Sequence, residues 1–245
     1  MGMAIFKQSN GMYAVNIVAS CGVLTPDQLA GLGKAARDCG VFRLKLTTRQ
    51  TIVAVLDKEQ IPRLVERLPE LGLAVSPYGG AVRAVKACAG NAALCPRALG
   101  DALDLGIAIQ EQYLGREVPK DVKIAVAGCP RGCTDPLCAD FGIVARGAGT
   151  FDVFLGGRGG SAKPVHGQLL ANRVAREDIF PLLNHVLERY TALAQPKERL
   201  SAVVARLGLD PFLPPPGLIT ADDAQETVDE EFLAFLGGKG SDQSG

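Results

Sequence analysis

"YAVNIVASCGVLTPDQLAGLGKAARDCGVFRLKLTTRQTIVAVL", residues 13–56, switches hydrophobic period from strand to helix and back. Residues 13–19 alternate as a strand. A helix opens at Thr25, whose hydroxyl suits the N-cap; Pro26 fits the first turn, Gln28 closes a capping box, and Gly40 is the stop. Strands over 41–46 and 51–56 follow, joined by the turn "TTRQ". Residues 58–72 read as a second helix, with Pro62 near its start, and 73–77 as a last strand. The order β-α-β-β-α-β over 13–77 predicts a ferredoxin-like unit, which carries no function by itself.

Tyr78-Gly79-Gly80 marks a boundary. Beyond it, 96–115 has helical period with Pro96 at the first position, and strands are expected at 123–128, 141–146 and 151–157. Helices are expected over 177–194 and 197–208, then a Pro-rich stretch, "DPFLPPPG", and an acidic, Gly/Ser-ended segment. The fold class is therefore α+β, with expected divisions at 1–79, 80–210 and 211–245, the last a docking arm or tail.

Composition narrows the function. The 26 basic and 26 acidic residues cancel, so a general nucleic-acid binder is not expected. No apolar run approaches the roughly 20 residues of a membrane span, and no leader pattern opens the chain, so the cytoplasm is the expected compartment. Seven cysteines, an odd number, do not suit a secreted disulfide framework. Cys21 and Cys39 stand among apolar residues and read as core.

The other five cluster: Cys88 and Cys95 in "CAGNAALC", then Cys129, Cys133 and Cys138 in "GCPRGCTDPLCADFG". Zinc knuckles are tighter, and the C-x₂-C-x₂-C run of a bacterial ferredoxin is absent. Two loose pairs suit a [4Fe–4S] cube; spacing alone also leaves zinc or free thiols open. "GGRGGSA" at 156–162 lacks the prompt helix of a dinucleotide site, since Pro164 follows. His166 and His185 are isolated and read as surface or capping residues.

"AGCPRGCTDPLCADFGI" resembles the signature of the siroheme-containing sulfite and nitrite reductases, with Gly128, Cys129, Cys133, Asp140, Phe141, Gly142 and Ile143 in register. "CAGNAALCPRAL", "TTRQT" and "FDVFLGGRGG" resemble the family's first cysteine pair, a substrate loop and the strand after the cluster. In length the chain is similar to the small single-unit sulfite reductases. The resemblance implies a ferredoxin-like half followed by a siroheme- and [4Fe–4S]-binding half. It implies a cluster on Cys88, Cys95, Cys129 and Cys133, with Cys133 shared with the siroheme iron. It further implies a substrate arginine at Arg49 and basic residues facing siroheme and substrate at Arg83 and Lys86. The chain departs from the family in three places. Its first cysteine pair encloses six residues where five are usual, Arg131 replaces Asn or Ser, and Cys138 is an additional thiol.

Siroheme is a polycarboxylate and the substrates are anions, so fixed guanidinium groups are the natural partners. Arg43, Lys45, Arg131 and Arg158 are further candidates for the cofactor. The expected reaction is multi-electron reduction of sulfite to sulfide. Alternatives are nitrite reduction to ammonia, or a cluster-only electron-transfer or assembly subunit. No flavin or nicotinamide site is legible, so a ferredoxin-like donor or reductase subunit is the expected partner, and a homo-oligomer is compatible.

Overall fold

The capping box at Thr25 forms: Gln28 N donates to Thr25 Oγ1 (3.1 Å) and Thr25 N to Gln28 Oε1 (2.9 Å). The computed structural model describes residues 2–147 and 149–220. Its first unit comprises β1 (Gly2–Met3), β2 (Ile5–Lys7), β3 (Tyr13–Val18), α1 (Pro26–Asp38), β4 (Arg43–Leu46), β5 (Ile52–Leu56), α2 (Ile61–Arg67), β6 (Ala74–Val75) and β7 (Pro77–Tyr78). The sheet runs β2-β3-β5-β4, all antiparallel, and β6 shares with β2 the outer edge of β3. This is the ferredoxin-like arrangement, with β2 as an addition. Ile52, Ala54 and Leu56 pack with Leu32, Ala35 and Leu64 of the two helices. The opposite face of the sheet, free of helices, carries Arg43 and Lys45, which register with Val55 and Val53.

The expected second helix is broken. Single 3₁₀ turns at Lys58–Gln60 and Pro69–Leu71 flank α2, because Pro69 lacks an amide to continue the ladder and Gly72 ends the run in a left-handed conformation.

The second unit comprises β8 (Lys86–Ala87), α3 (Ala102–Tyr113), β9 (Ile124–Ala127), β10 (Phe141–Gly147), β11 (Thr150–Leu155), β12 (Gln168–Ala175), α4 (Ile179–Leu193) and α5 (Leu200–Leu207). The sheet order is β12-β11-β10-β9-β8; β8, β9 and β10 are parallel, and the rest antiparallel. Pro96 does not begin α3. Asp101 does, its carboxylate accepting from Asp104 N (3.0 Å), while 96–100 turn back so that Leu99 N reaches Gly128 O (2.7 Å). β12 was not expected; it is a bulged edge strand in which Gln168, Asn172 and Arg173 interrupt the apolar residues.

Leu105, Ile109, Leu182, Val186, Tyr190 and Val203 bury the second sheet. Residues 211–220 lie along α4: Phe212 is buried, Arg189 Nε donates to Pro211 O, and His185 Nε2 meets Leu213 O. The remainder of the expected C-terminal segment, 221–245, lies outside the described residues.

Candidate functional site

Parallel pairing decides where the thiols go. Lys86 and Ala87 register with Ala125 and Val126, so β8 and β9 point the same way, and the residues after each emerge at one sheet end. Those residues are Cys88 and Gly128-Cys129. Cys88 N donates to Val126 O (3.2 Å), and Gly128 N donates to Cys88 Sγ (3.1 Å). The two loops touch through glycine: a Cβ on Gly90 would stand 2.9 Å from both Cys88 Sγ and Gly128 Cα. Asn91 Oδ1 accepts from Ala93 N and Leu94 N, and Cys95 N donates to Asn91 O (3.0 Å), which folds the first loop into a tight turn. In the second loop Gly132 takes φ 60°, and Thr134 Oγ1 anchors to Val126 O (2.8 Å).

Cys88, Cys95 and Cys129 are half-buried and Cys133 is exposed; Cys21 and Cys39 are buried in the cores. Among the described residues no three Cys, His, Asp or Glu side chains form a group that could hold a single metal ion. A cube has a different requirement, since each thiolate ligates a separate iron atom. Four thiols on two touching loops, one of them receiving an amide, fit that donor set.

Two glutamines stitch the units together beside this end. Gln50 pairs with the Ala87 backbone (Ala87 N to Oε1, 2.9 Å; Nε2 to Ala87 O, 2.7 Å), and Gln110 links Val85 N to Ala19 O. Gln50 adopts φ 55° to do so. The result carries Arg49, half-buried, across the junction to within 3.4 Å of Ala84 O. Arg83 lies 4.9 Å over the Tyr78 ring and bonds Asp121 Oδ2 (2.8 Å), while Asp121 Oδ1 accepts from Gly79 N and Gly80 N. Burial alone would raise the Asp121 carboxyl, but Arg83 and the amides of Gly80 and Ala81 bring it below its ordinary range.

Two cations that the sequence reading did not single out join them. Arg199 grips both oxygens of fully buried Asp140 (3.0 and 2.7 Å), and Asp140 Oδ2 also accepts from Lys123 N (2.9 Å). Burial pushes the Asp140 carboxyl up against the pull of Arg199. Burial, then Arg83, lowers Arg49 to about 10, with Arg199 adding to the effect. Burial, then Arg49 and Arg199, lowers Lys123. Arg49, Arg83, Lys123 and Arg199 thus form one electrostatic cluster. Arg83 Nε and Arg199 Nε are buried donors without a protein acceptor among the described residues, and Asn16 Oδ1 is likewise unmatched. Spare guanidinium donors in a cationic cluster fit an anion or a polycarboxylate.

The other sequence candidates fall around this cluster. Lys86 bonds Asp135 Oδ2 (3.2 Å) on the cysteine loop. Arg43 and Lys45 are exposed on β4, Arg43 5.2 Å over the Phe42 ring and Lys45 bonded to Leu46 O. Arg158 is exposed in a hairpin whose backbone is tied to the Cys138 turn by Gly159 N to Cys138 O (3.1 Å). Arg131 is exposed and lines a cavity of about 220 Å³ with Cys138, Arg146 and His166.

Comparison with known proteins agrees with this architecture. Residues 78–214 match the nitrite and sulphite reductase 4Fe-4S domain, and 6–71 the nitrite/sulfite reductase ferredoxin-like half domain. The chain is 31% identical over 209 residues to an assimilatory-type sulfite reductase of Nitratidesulfovibrio vulgaris, covering 84% of this chain and 93% of that one. It is 30% identical to the nitrite reductase (NADH) large subunit of Escherichia coli, covering 83% of this chain but 24% of that one. Among solved structures, Mycobacterium tuberculosis NirA protein superposes with a TM-score of 0.71 at 21% identity, over 86% of this chain and 41% of that one. Dissimilatory sulfite reductase I gives 0.71 at 13% identity, over 90% and 74%. No helix among the described residues is long and apolar enough to cross a membrane. A ferredoxin-like half followed by a half that bears the paired thiols matches the family's two domain models in order, and the chain belongs to the nitrite and sulphite reductase 4Fe-4S family.

Proposed function

We propose that the chain reduces sulfite to sulfide on siroheme and a [4Fe–4S] cluster. The observation that carries this reading is the cation cluster with unmatched buried guanidinium donors, set beside two touching cysteine loops. Cys88, Cys95, Cys129 and Cys133 would hold the cluster, and Cys133 would also serve the siroheme. Arg43, Lys45, Arg131 and Arg158 would hold siroheme carboxylates. When bound, these groups supply the electrons and the metal site.

The chain's own part is electrostatic. Arg49, Lys86 and Lys123 attract the oxyanion and withdraw charge from its oxygens, which eases S–O cleavage. Arg83 and Arg199, fixed by their carboxylates, each keep an unmatched Nε donor with which to orient the anion. Electrons come from a ferredoxin-like carrier or a reductase subunit.

Nitrite reduction is the second reading, supported by the 30% identity to the nitrite reductase large subunit. Anaerobically purified protein should carry iron in a cube plus siroheme absorption, and turn over sulfite faster than nitrite. Zinc in colourless protein would refute the cofactor assignment; faster nitrite turnover would reverse the substrate preference.

A further inference from the structure

Lys86 differs from the other cations at the site. Its side chain is 11% exposed, and its ammonium bonds Asp135, whose side chain is 70% exposed. Among the described residues, no other side chain is hydrogen-bonded to this ammonium. The pair joins β8 to the turn between Cys133 and Cys138, 49 residues away. Asp135 reaches it from a left-handed backbone (φ 51°, ψ 53°), an uncommon conformation for a residue with a side chain. Asp135 N donates to Gly132 O (2.7 Å) and Asp135 O accepts from Cys138 N (2.9 Å), so the turn is held in place from both sides. Only Oδ2 is engaged; Oδ1 has no protein partner among the described residues.

A buried ammonium left without a counter-ion is costly, whereas an exposed carboxylate loses little by returning to water. We propose that Asp135 is a built-in, displaceable anion for Lys86: it neutralises the ammonium in the resting protein and gives way to the incoming oxyanion. This rests on the reading of the cation site as an oxyanion site. Its consequence is a toll on binding. Substrate binds only the fraction of molecules in which Lys86 is released, so apparent affinity is weakened by that fraction, equally for every anion using Lys86. An ion pair with one exposed partner, at the strength usual for such pairs, makes the factor about two to six.

The test is calorimetric titration of sulfite, and separately of nitrite, into anaerobic holoprotein. Asp135→Asn removes the charge and keeps a side chain that tolerates left-handed backbone; Asp135→Gly does the same by another route and stands in if the first misfolds. Glu59→Gln, an exposed acid in the first unit, controls for net charge. Both Asp135 variants should bind both anions about two- to sixfold more tightly, Glu59→Gln should bind as wild type, and the gain should vanish in a Lys86→Met background. Unchanged or weaker binding in both Asp135 variants would overturn the proposal, as would a gain that survives Lys86→Met. Binding of neither anion by wild-type protein would overturn the oxyanion-site reading along with it.

Discussion

Replacing Arg199 with methionine strands a buried carboxylate. Asp140 is 0% exposed and Arg199 18%, and the guanidinium contacts both carboxylate oxygens. Without it, Asp140 keeps the Lys123 amide as its hydrogen-bond donor and Lys123's ammonium as a nearby charge. Breaking a buried pair from one side costs about 3–5 kcal/mol, a large part of the usual 5–15 kcal/mol of folding stability. For a chain of this size that is a fall in Tm of about 6–20 °C. The deficit should depend on pH. Asp140 in the variant, already pushed up by burial, would sit further above its unfolded value near 3.9. The folded form then binds a proton that the unfolded form has lost, so the deficit is full above the folded pKa and shrinks as pH falls toward 3.9. Urea unfolding at pH 5 and pH 8 measures this, and adding Asp140→Asn to Arg199→Met should restore most of the loss. A deficit under about 1 kcal/mol, or one identical at both pH values, would refute the assignment of a buried charge pair.

Arg49→Ala should retain both cofactors and reduce sulfite about 10²–10³-fold more slowly; near-normal turnover in a fully loaded variant removes Arg49 from the site. Anion affinity should fall at alkaline pH as Lys123 loses its proton, since burial and the charges of Arg49 and Arg199 lower its ammonium; a titration flat to pH 11 would contradict this. Cys133→Ser should lose coupling between cofactors, seen by low-temperature EPR, while Cys138→Ser keeps iron and siroheme; the reverse outcome would make Cys138 the ligand. Gly90→Ala should lower iron content with little change in secondary structure by circular dichroism, because its Cβ meets Cys88 Sγ and Gly128 Cα at 2.9 Å.

Local signals in the sequence were legible where the chemistry was local. The α1 cap needs only Thr25, Pro26 and Gln28, three neighbouring residues, and it forms as read. The ferredoxin-like order follows from period and turn residues alone. Pro96 misled because a proline suits a helix start and an irregular turn equally; Asp101, five residues on, is the cap, and 96–100 are held by a long-range bond to Gly128. β12 carries polar and bulged positions that erase its alternation, so its pairing with β11 has no local mark. Lys123 and Arg199 escaped for a related reason. Arg199 meets Asp140 across 59 residues, and nothing around it in "KERLSAVV" distinguishes a buried guanidinium from a solvated one.

The two kinds of cation at the junction have separable work. Arg83 and Arg199 each share charge with a carboxylate that backbone amides also hold, so these pairs are rigid and nearly neutral. They can orient a ligand through their unmatched Nε donors, but they attract it weakly from a distance. Arg49 and Lys123 have no carboxylate bonded to them among the described residues; beyond burial, Arg83 and Arg199 lower the proton affinity of Arg49, and Arg49 and Arg199 that of Lys123. Bringing such like charges together in a half-buried junction costs free energy in the empty site. An anion offsets that cost on arrival, so its affinity includes the relief of repulsion among residues brought there by Gln50 and by the start of β9.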